Sequence, residues 1–200
     1  MQEHLKSKEA YKQFYEEQAL NHGNDHLTED YIRIQFLLSQ IRNSDKVVEV
    51  GCQSGGITKH IALNNKYSTI SAIDISEGYV KKARTVCDNI KNIVFINESA
   101  EDCMHKIIKN GEHPGIIIAM EIVEHVIDPF MFLALCYASL SSLHGRLLLT
   151  VPDENYVDTL GEHNTVFTEE KLNNMLKDAG FKNVFIFHKE EWYFAICRKG

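Results

Sequence analysis

The chain lacks any apolar run approaching the ~20 residues that a membrane span requires. Its first residues, MQEHLKSKEAYKQ, are polar, so neither an anchor nor a secretion signal is expected. Its five cysteines, at positions 52, 87, 103, 136 and 197, are odd in number and form no C-x-x-C pair. That pattern excludes a zinc knuckle, argues against a disulfide framework and fits a reducing cytoplasm. Positive charge is also short: a formal net charge of -7 leaves no broad basic footprint for a nucleic-acid backbone or an anionic membrane. The cluster Lys81, Lys82 and Arg84 reads as the solvated face of a helix. No Pro, Gly or Ser-rich linker, repeat or low-complexity tract divides the 200 residues, and 44% hydrophobic content suits one domain with a core.

What the chain does carry is an abrupt change at Val47-Val48-Glu49-Val50-Gly51-Cys52-Gln53-Ser54-Gly55-Gly56, where a valine-rich run breaks into a glycine-rich turn. The run reads as a strand, and Ile57 to Leu63 reads as a helix. In such a unit glycine lets the backbone turn sharply and lets a ligand approach it. Free N–H groups at the helix start add hydrogen bonds and partial positive charge. Two ligands suit this loop: a dinucleotide, or the adenosine and amino-acid ends of S-adenosylmethionine. The dinucleotide pattern G-x-G-x-x-G, aligned on Gly51, needs glycine where Gln53 stands, and that bare position is the one that admits a pyrophosphate. The other pattern, an acid two residues before alternating glycines, is met at Glu49, Gly51 and Gly55 and missed only at Gln53. A second apolar run, Ile70 to Ile75, carries Asp74 near its end, where an acid takes both ribose hydroxyls of either cofactor.

From Lys46 onward the chain alternates as an α/β protein does. Strands are expected near 46–51, 69–74, 93–97, 115–120, 145–151, 183–188 and 192–198, and helices near 54–64, 77–89, 100–110, 129–142 and 169–179. Ser76, Asp128 and Thr168 mark helix starts, and Gly111 and Gly180 fall just past helix ends. The last two strands have only Lys189, Glu190 and Glu191 between them, too few for a crossover, so they pair as an antiparallel hairpin. Residues 5 to 42 read as two helices, with a polar break from His22 to Asp25 and an N-cap at Thr28 followed by Glu29 and Asp30. Tyr11, Phe14 and Tyr15 lie at helical spacing, a stripe expected chiefly to pack the first helix onto the core.

The ordered set VVEVGCQSGG, ISAIDIS, IIIAMEIVEHVIDP and GRLLLTVP resembles the class I S-adenosylmethionine-dependent methyltransferases, closest to the branch that includes ubiquinone-biosynthesis O-methyltransferases. The segment Glu162 to Phe181 is similar to that family's last helix and its lead-in, and the likeness spans about residues 45–200. It implies a Rossmann-like α/β fold: a seven-stranded, mostly parallel sheet with a C-terminal antiparallel hairpin and two extra N-terminal helices. Residues 1–44 would form a helical cap and residues 45–200 the cofactor-binding domain. It also implies S-adenosyl-L-methionine as cofactor, held at the glycine loop by Glu49, Gly51, Cys52, Gln53 and Gly55, and at the second strand end by Asp74 and Ile75. Ser99, Ala100 and Glu101 would meet the adenine, Met120 and Glu121 the methionine end, and Tyr15 of the cap would touch the ligand. Gln53, Ser99 and Gly115 each replace a residue usual for the family.

Met120-Glu121-Ile122-Val123-Glu124-His125-Val126 is the most informative polar cluster. With His163, it offers two carboxylates and two imidazoles, a set of the kind that binds a divalent metal in small-RNA 3′-terminal methyltransferases and some quinone methyltransferases. The expected arrangement is that Glu124 and His125 bond each other or nearby backbone and fix the loop, with no metal. Methyl transfer is an in-line displacement at a sulfonium carbon, and holding the nucleophile ~3 Å from the methyl in a dry pocket can supply ~7 to 11 kcal/mol. A hydroxyl acceptor also needs a base, for which His125 is the first candidate and His163 the second. Acceptor contacts are expected from Asp153 to Phe167 and from Trp192 and Tyr193. The expected function is methyl transfer to an oxygen or nitrogen of a small molecule, with no membrane or nucleic-acid partner. The alternatives are a methyltransferase acting on an RNA end or a protein, a non-catalytic subunit of this fold, and a dinucleotide oxidoreductase, against which Gln53 and the hairpin stand.

Overall fold

The structure is a computed structural model, describing residues 7–21, 31–42, 45–66, 68–142, 144–158 and 161–200. The expected break at His22–Asp25 and the cap at Thr28 lie outside these residues. Two helices come first, α1 (Lys8–Asn21) and α2 (Tyr31–Gln40). Then strand and helix alternate: β1 (Lys46–Val50), α3 (Gly56–Asn64), β2 (Thr69–Asp74), α4 (Glu77–Val86), β3 (Ile93–Asn97), α5 (Ala100–Asn110), β4 (Ile116–Met120), α6 (Pro129–Ser139), β5 (Arg146–Pro152) and α7 (Glu169–Asp178). The chain closes with β6 (Asn183–Lys189) and β7 (Trp192–Arg198). Helix starts follow the local chemistry. The side chains of Ser76, Asp128 and Thr168 accept from the N–H three residues on, satisfying donors that a bare helix end leaves open.

The seven strands lie in the order β3-β2-β1-β4-β5-β7-β6. All neighbours are parallel except β7, which runs antiparallel to both β5 and β6, so the hairpin expected from the short connection forms. β4 and β5 are buried along their whole length, as strands covered on both faces must be, and they read as apolar runs. On one face, Val50, Ile117, Leu147 and Leu149 pack with Phe132 and Cys136 of α6 and Leu172 and Leu176 of α7. On the other, Val47, Ile70, Ile116 and Leu148 pack with Phe36 and Leu37 of α2 and Ile61 of α3. α2 thus joins the core of the sheet: Phe36 meets Phe194 edge to face at 5.2 Å, and Arg146 of β5 donates to the Gln40 carbonyl at 2.8 Å. No helix among the described residues is long and apolar enough to cross a membrane.

Sheet order reverses between β1 and β4, and in open α/β sheets the crevice beyond the carboxyl ends at that point is where ligands bind. The loops after β1, β2, β3 and β4 converge there. Because Phe194 sits at the junction of β7, β6 and α2, replacing it by alanine should remove about 3 to 5 kcal/mol of unfolding free energy, as other buried Phe→Ala changes do. Urea unfolding followed by far-UV circular dichroism measures this, and a loss under about 1 kcal/mol would show that α2 is not part of the cooperative core.

Candidate active site

The loop after β1 is built on left-handed backbone. Gly51 has φ +73°, and a Cβ added there would lie 2.0 Å from Cδ1 of Ile122, so the position has no room for a side chain. The N–H groups of Gly51 and Cys52 both donate to the Ile73 carbonyl, at 2.8 and 3.0 Å, which fastens the loop to the end of β2. Gln53, which stands where both motif patterns have glycine, also adopts positive φ, at 42°. Its N–H donates to Oδ2 of Asp74 at 2.8 Å. Gly55, at φ +80°, precedes α3 with no side-chain cap on the helix start and packs against Ala83 of α4 and Cys87 just past its end. Glu49 is buried and accepts from the Thr58 hydroxyl at 2.6 Å, tying β1 to α3.

Asp74 ends β2 with one oxygen on the Gln53 N–H and the other on the Ser76 N–H, at 2.9 Å. Burial pushes its carboxyl up to about 6, against the pull of those backbone bonds. Ser99 caps α5 by accepting from the Asp102 N–H at 3.2 Å, the structural role its position suggested. Between these strand ends lies a cavity of about 300 Å³. Gly51, Gln53, Asp74, Ile75, Ser99, Ala100 and Glu101 line it from the sheet side. Glu121 and His125 line it from the β4 side, and Tyr11 and Tyr15 line it from α1. The aromatic stripe therefore does more than pack the helix. A second cavity of about 90 Å³ is lined by Glu49, Cys52 and Met120 together with Arg33 of α2. The two share Val50, Gly51, Gln53 and Glu121.

The cluster after β4 separates into two parts. Glu121 holds φ +53°, and its carboxylate accepts from the Thr150 hydroxyl and from the indole Nε1–H of Trp192, both at 2.7 Å. Trp192 also stacks under the Arg33 guanidinium at 4.7 Å, and Tyr193 is buried in the core with its hydroxyl on Glu154. Glu124 is fully buried, and neither carboxylate oxygen has a hydrogen-bond partner. Of the two expected arrangements, a bond to each other or to nearby backbone, the first does not form, since Nε2 of His125 stays 3.8 Å from Oε1 of Glu124, while His125 Nδ1 lies 3.4 Å from the Glu162 carbonyl. The loop is fixed through the backbone instead: the N–H groups of Asn164 and Thr165 donate to the Glu124 carbonyl, and the Asn164 side chain donates to the His125 carbonyl. The His125 and His163 rings meet at 4.7 Å, and Tyr156 stacks on His163 at 5.4 Å. Burial, reinforced by His163, holds the His125 imidazole neutral, down to about 4. Burial, with Glu121 nearby, pushes the Glu124 carboxyl well above the usual range.

Glu124, His125 and His163 thus present one ligand atom each within 4.8 Å of one another, while Glu121 is held out of the set by Thr150 and Trp192. Two neutral imidazoles and an unpartnered carboxylate are suitable donors for a divalent ion. Sequence reasoning missed Arg33, which no motif marks and which reaches the site from α2. Tyr11, expected chiefly to pack α1, lines the main cavity, and Asn164 falls inside the segment where acceptor contacts were expected.

The sheet order, the antiparallel β7 and the glycine loop facing an acid across two strand ends define a Rossmann-like α/β protein with a crevice at its switch point. The chain belongs to the methyltransferase domain family, whose model matches residues 26–185. It is 26% identical over 126 residues to a ubiquinone biosynthesis O-methyltransferase of Coxiella burnetii, covering 62% of this chain and 51% of that protein, so it spans about half the length of this relative. In three dimensions it is similar to N-methyltransferase NodS from Bradyrhizobium japonicum, solved with S-adenosyl-L-homocysteine, with a TM-score of 0.71 and 16% identity over 94% of this chain and 97% of that one. It is equally like the [4+2]-cyclase SpnF in shape, at a TM-score of 0.75 and 13% identity over 96% of each chain. These two likenesses speak for the fold alone.

An unpartnered buried carboxylate lowers stability, so Glu124 tests whether this cluster is kept for packing. Replacing Glu124 by methionine should raise the unfolding free energy by about 1 to 3 kcal/mol. The native state keeps a proton on Glu124 that the unfolded chain releases in the usual carboxylate range, so its penalty grows as pH rises. The gain should therefore be larger at alkaline than at acidic pH. Denaturant titration at two pH values measures both, and a destabilised variant would show that the carboxylate supports the fold.

Proposed function

We propose that this chain is an S-adenosylmethionine-dependent methyltransferase that moves a methyl group to an oxygen or nitrogen of a small molecule, with residues 1–44 as a cap over a cofactor-binding domain of residues 45–200. The observation that carries the reading is the cavity framed by the bare Gly51, the buried Asp74 and the Ser99–Glu101 segment, in a chain of the methyltransferase family. Bound there, the cofactor supplies a methyl group activated by its sulfonium charge. Asp74 has lone pairs left for the two ribose hydroxyls. Ser99 and Ala100 bring a hydroxyl and a backbone amide to the adenine. Arg33 and Glu49 suit the charged ends of the amino-acid part at the smaller cavity. Tyr11 and Tyr15 exclude water from the main cavity.

The acceptor side is the imidazole pair. His125, neutral at physiological pH, can accept a proton from an acceptor hydroxyl, and His163 beside it can orient that hydroxyl. A second reading for the same groups rests on the orphaned Glu124 carboxylate: Glu124, His125 and His163 would hold a divalent ion, which lowers the pKa of a bound hydroxyl.

Transfer of label from radioactive S-adenosylmethionine to a panel of phenols, catechols and amines tests the activity. Turnover of at least one oxygen or nitrogen acceptor is expected, with His125→Ala slowing a hydroxyl acceptor by about 10² to 10⁴. Full activity in His125→Ala would remove the base, and dependence on added Mn²⁺ that is lost in Glu124→Gln would favour the metal reading. Affinity for S-adenosylhomocysteine should also fall as pH drops below about 6, because the ribose bonds need an ionised Asp74. Asp74→Asn should bind more weakly and without that pH dependence. Fluorescence titration across pH measures this, and a flat wild-type profile would contradict the placement of the ribose.

A further inference from the structure

We propose that α1 is a clasp over the cofactor cavity, fastened at the N-terminus of α4 by Glu16, and that this fastening must release for cofactor to exchange. The proposal rests on the reading of the main cavity as the cofactor site. The Glu16 carboxylate accepts from the Ser76 hydroxyl at 3.1 Å, from the Gly78 N–H at 3.0 Å and from the Glu77 N–H. It thereby takes open donors at the positive end of α4, where a carboxylate is favoured. Ser76 is engaged three ways: its hydroxyl also caps α4 through the Tyr79 N–H, and its own N–H donates to Asp74. A single residue therefore connects α1 to the acid assigned to the ribose.

Gly78 supplies an independent sign of the same contact. It lies in the first turn of α4, where glycine disfavours helix and alanine would be better. A Cβ at Gly78 would come to 2.9 Å from Cβ of Ala19 and 3.0 Å from Oε2 of Glu16, both on α1. The bare position is what lets the two helices meet. The rest of α1 faces the site. Tyr11 and Tyr15 line the cavity, and the Tyr11 hydroxyl donates to the Glu162 carbonyl and accepts from Asn164, next to His163. At its other end Lys8 pairs with Asp102 at the start of α5, an exposed pair that contributes little. Closing α1 thus covers the cofactor cavity and steadies the His163 segment together, and Glu16 is the strongest tie on the α4 side. Glu16 is a positioning residue: it acts through α1 and Ser76 and touches neither cofactor nor acceptor.

Stopped-flow fluorescence of Trp192, the chain's one tryptophan, with S-adenosylhomocysteine tests the clasp. Glu16→Ala should raise both association and dissociation rates, dissociation by about tenfold, the scale of one charge-assisted hydrogen bond. Gly78→Ala should act in the same direction although it improves α4 itself, and Ala19→Gly placed on top of it should restore slow release. A role in stability alone would lower the unfolding midpoint without a faster exchange of ligand. Unchanged rates in both single variants would overturn the proposal. If the wild-type chain binds no S-adenosylhomocysteine, the cofactor reading fails, and hydrogen exchange of residues 8–21 decides the clasp. Faster exchange confined to α1 in Glu16→Ala supports it, and unchanged protection overturns it.

Discussion

The fold's ligand-binding edge depends on one close approach: the Ile122 side chain occupies the space that a Cβ on Gly51 would fill. Ile122 belongs to the turn after β4, and Gly51 to the turn after β1. Their contact brings the two strand ends on either side of the point where sheet order reverses into one wall. The left-handed backbone at Gly51 then points two N–H groups at the end of β2, and through Gln53 the loop reaches Asp74. Three strand ends are thus fixed to one another by the backbone of the Gly51 loop together with the Ile122 and Asp74 side chains. Alanine at position 51 would clash with Ile122 and force positive φ on a residue that resists it, so both constraints require glycine there.

Around this edge, acidic side chains are largely withdrawn from water. Glu49, Asp74, Glu121 and Glu124 are gathered on the ends of three adjacent strands, and Arg33 and Lys8 are the cations among the described residues that line the two cavities. The protein handles each acid differently. Glu49 is bonded to Thr58, Asp74 to two backbone amides, and Glu121 to Thr150 and Trp192, while Glu124 is left with none. Burial cost of this kind is seldom kept for stability. A cofactor whose reactive centre is a cation gains from such surroundings, and so does a divalent ion at Glu124, His125 and His163.

Much of the frame was legible in the chain. Apolar runs rich in valine, isoleucine or leucine alternating with helical segments, several of them opened by a capping side chain, marked β1 through α7 to within a few residues. The three-residue spacing between the last two runs forced the antiparallel β7. The loop at Gly51 and the acid at Asp74 were legible because their chemistry is local: a glycine turn, and an acid at a strand end. The ties between distant segments were not. Glu16 looks like one more acid on a polar helix, and only folding brings it to Ser76 and Gly78. Nothing near Trp192 announces that its indole holds Glu121, and nothing near Glu124 tells whether its carboxylate finds a partner. Of the two arrangements expected for Glu124 and His125, a bond to each other or to nearby backbone, the structure has the second, with His125 Nδ1 against the Glu162 carbonyl at 3.4 Å.

In the proposed reading the crevice at Gly51 and Asp74 holds the adenosine of S-adenosylmethionine and excludes a dinucleotide. Calorimetric titration at neutral pH with S-adenosylhomocysteine, and in parallel with NADH, tests it most directly. A dissociation constant near the micromolar range, about -8 kcal/mol, is expected for the homocysteine compound, with no heat for NADH. Binding of NADH, or of neither ligand to a folded chain, would contradict it.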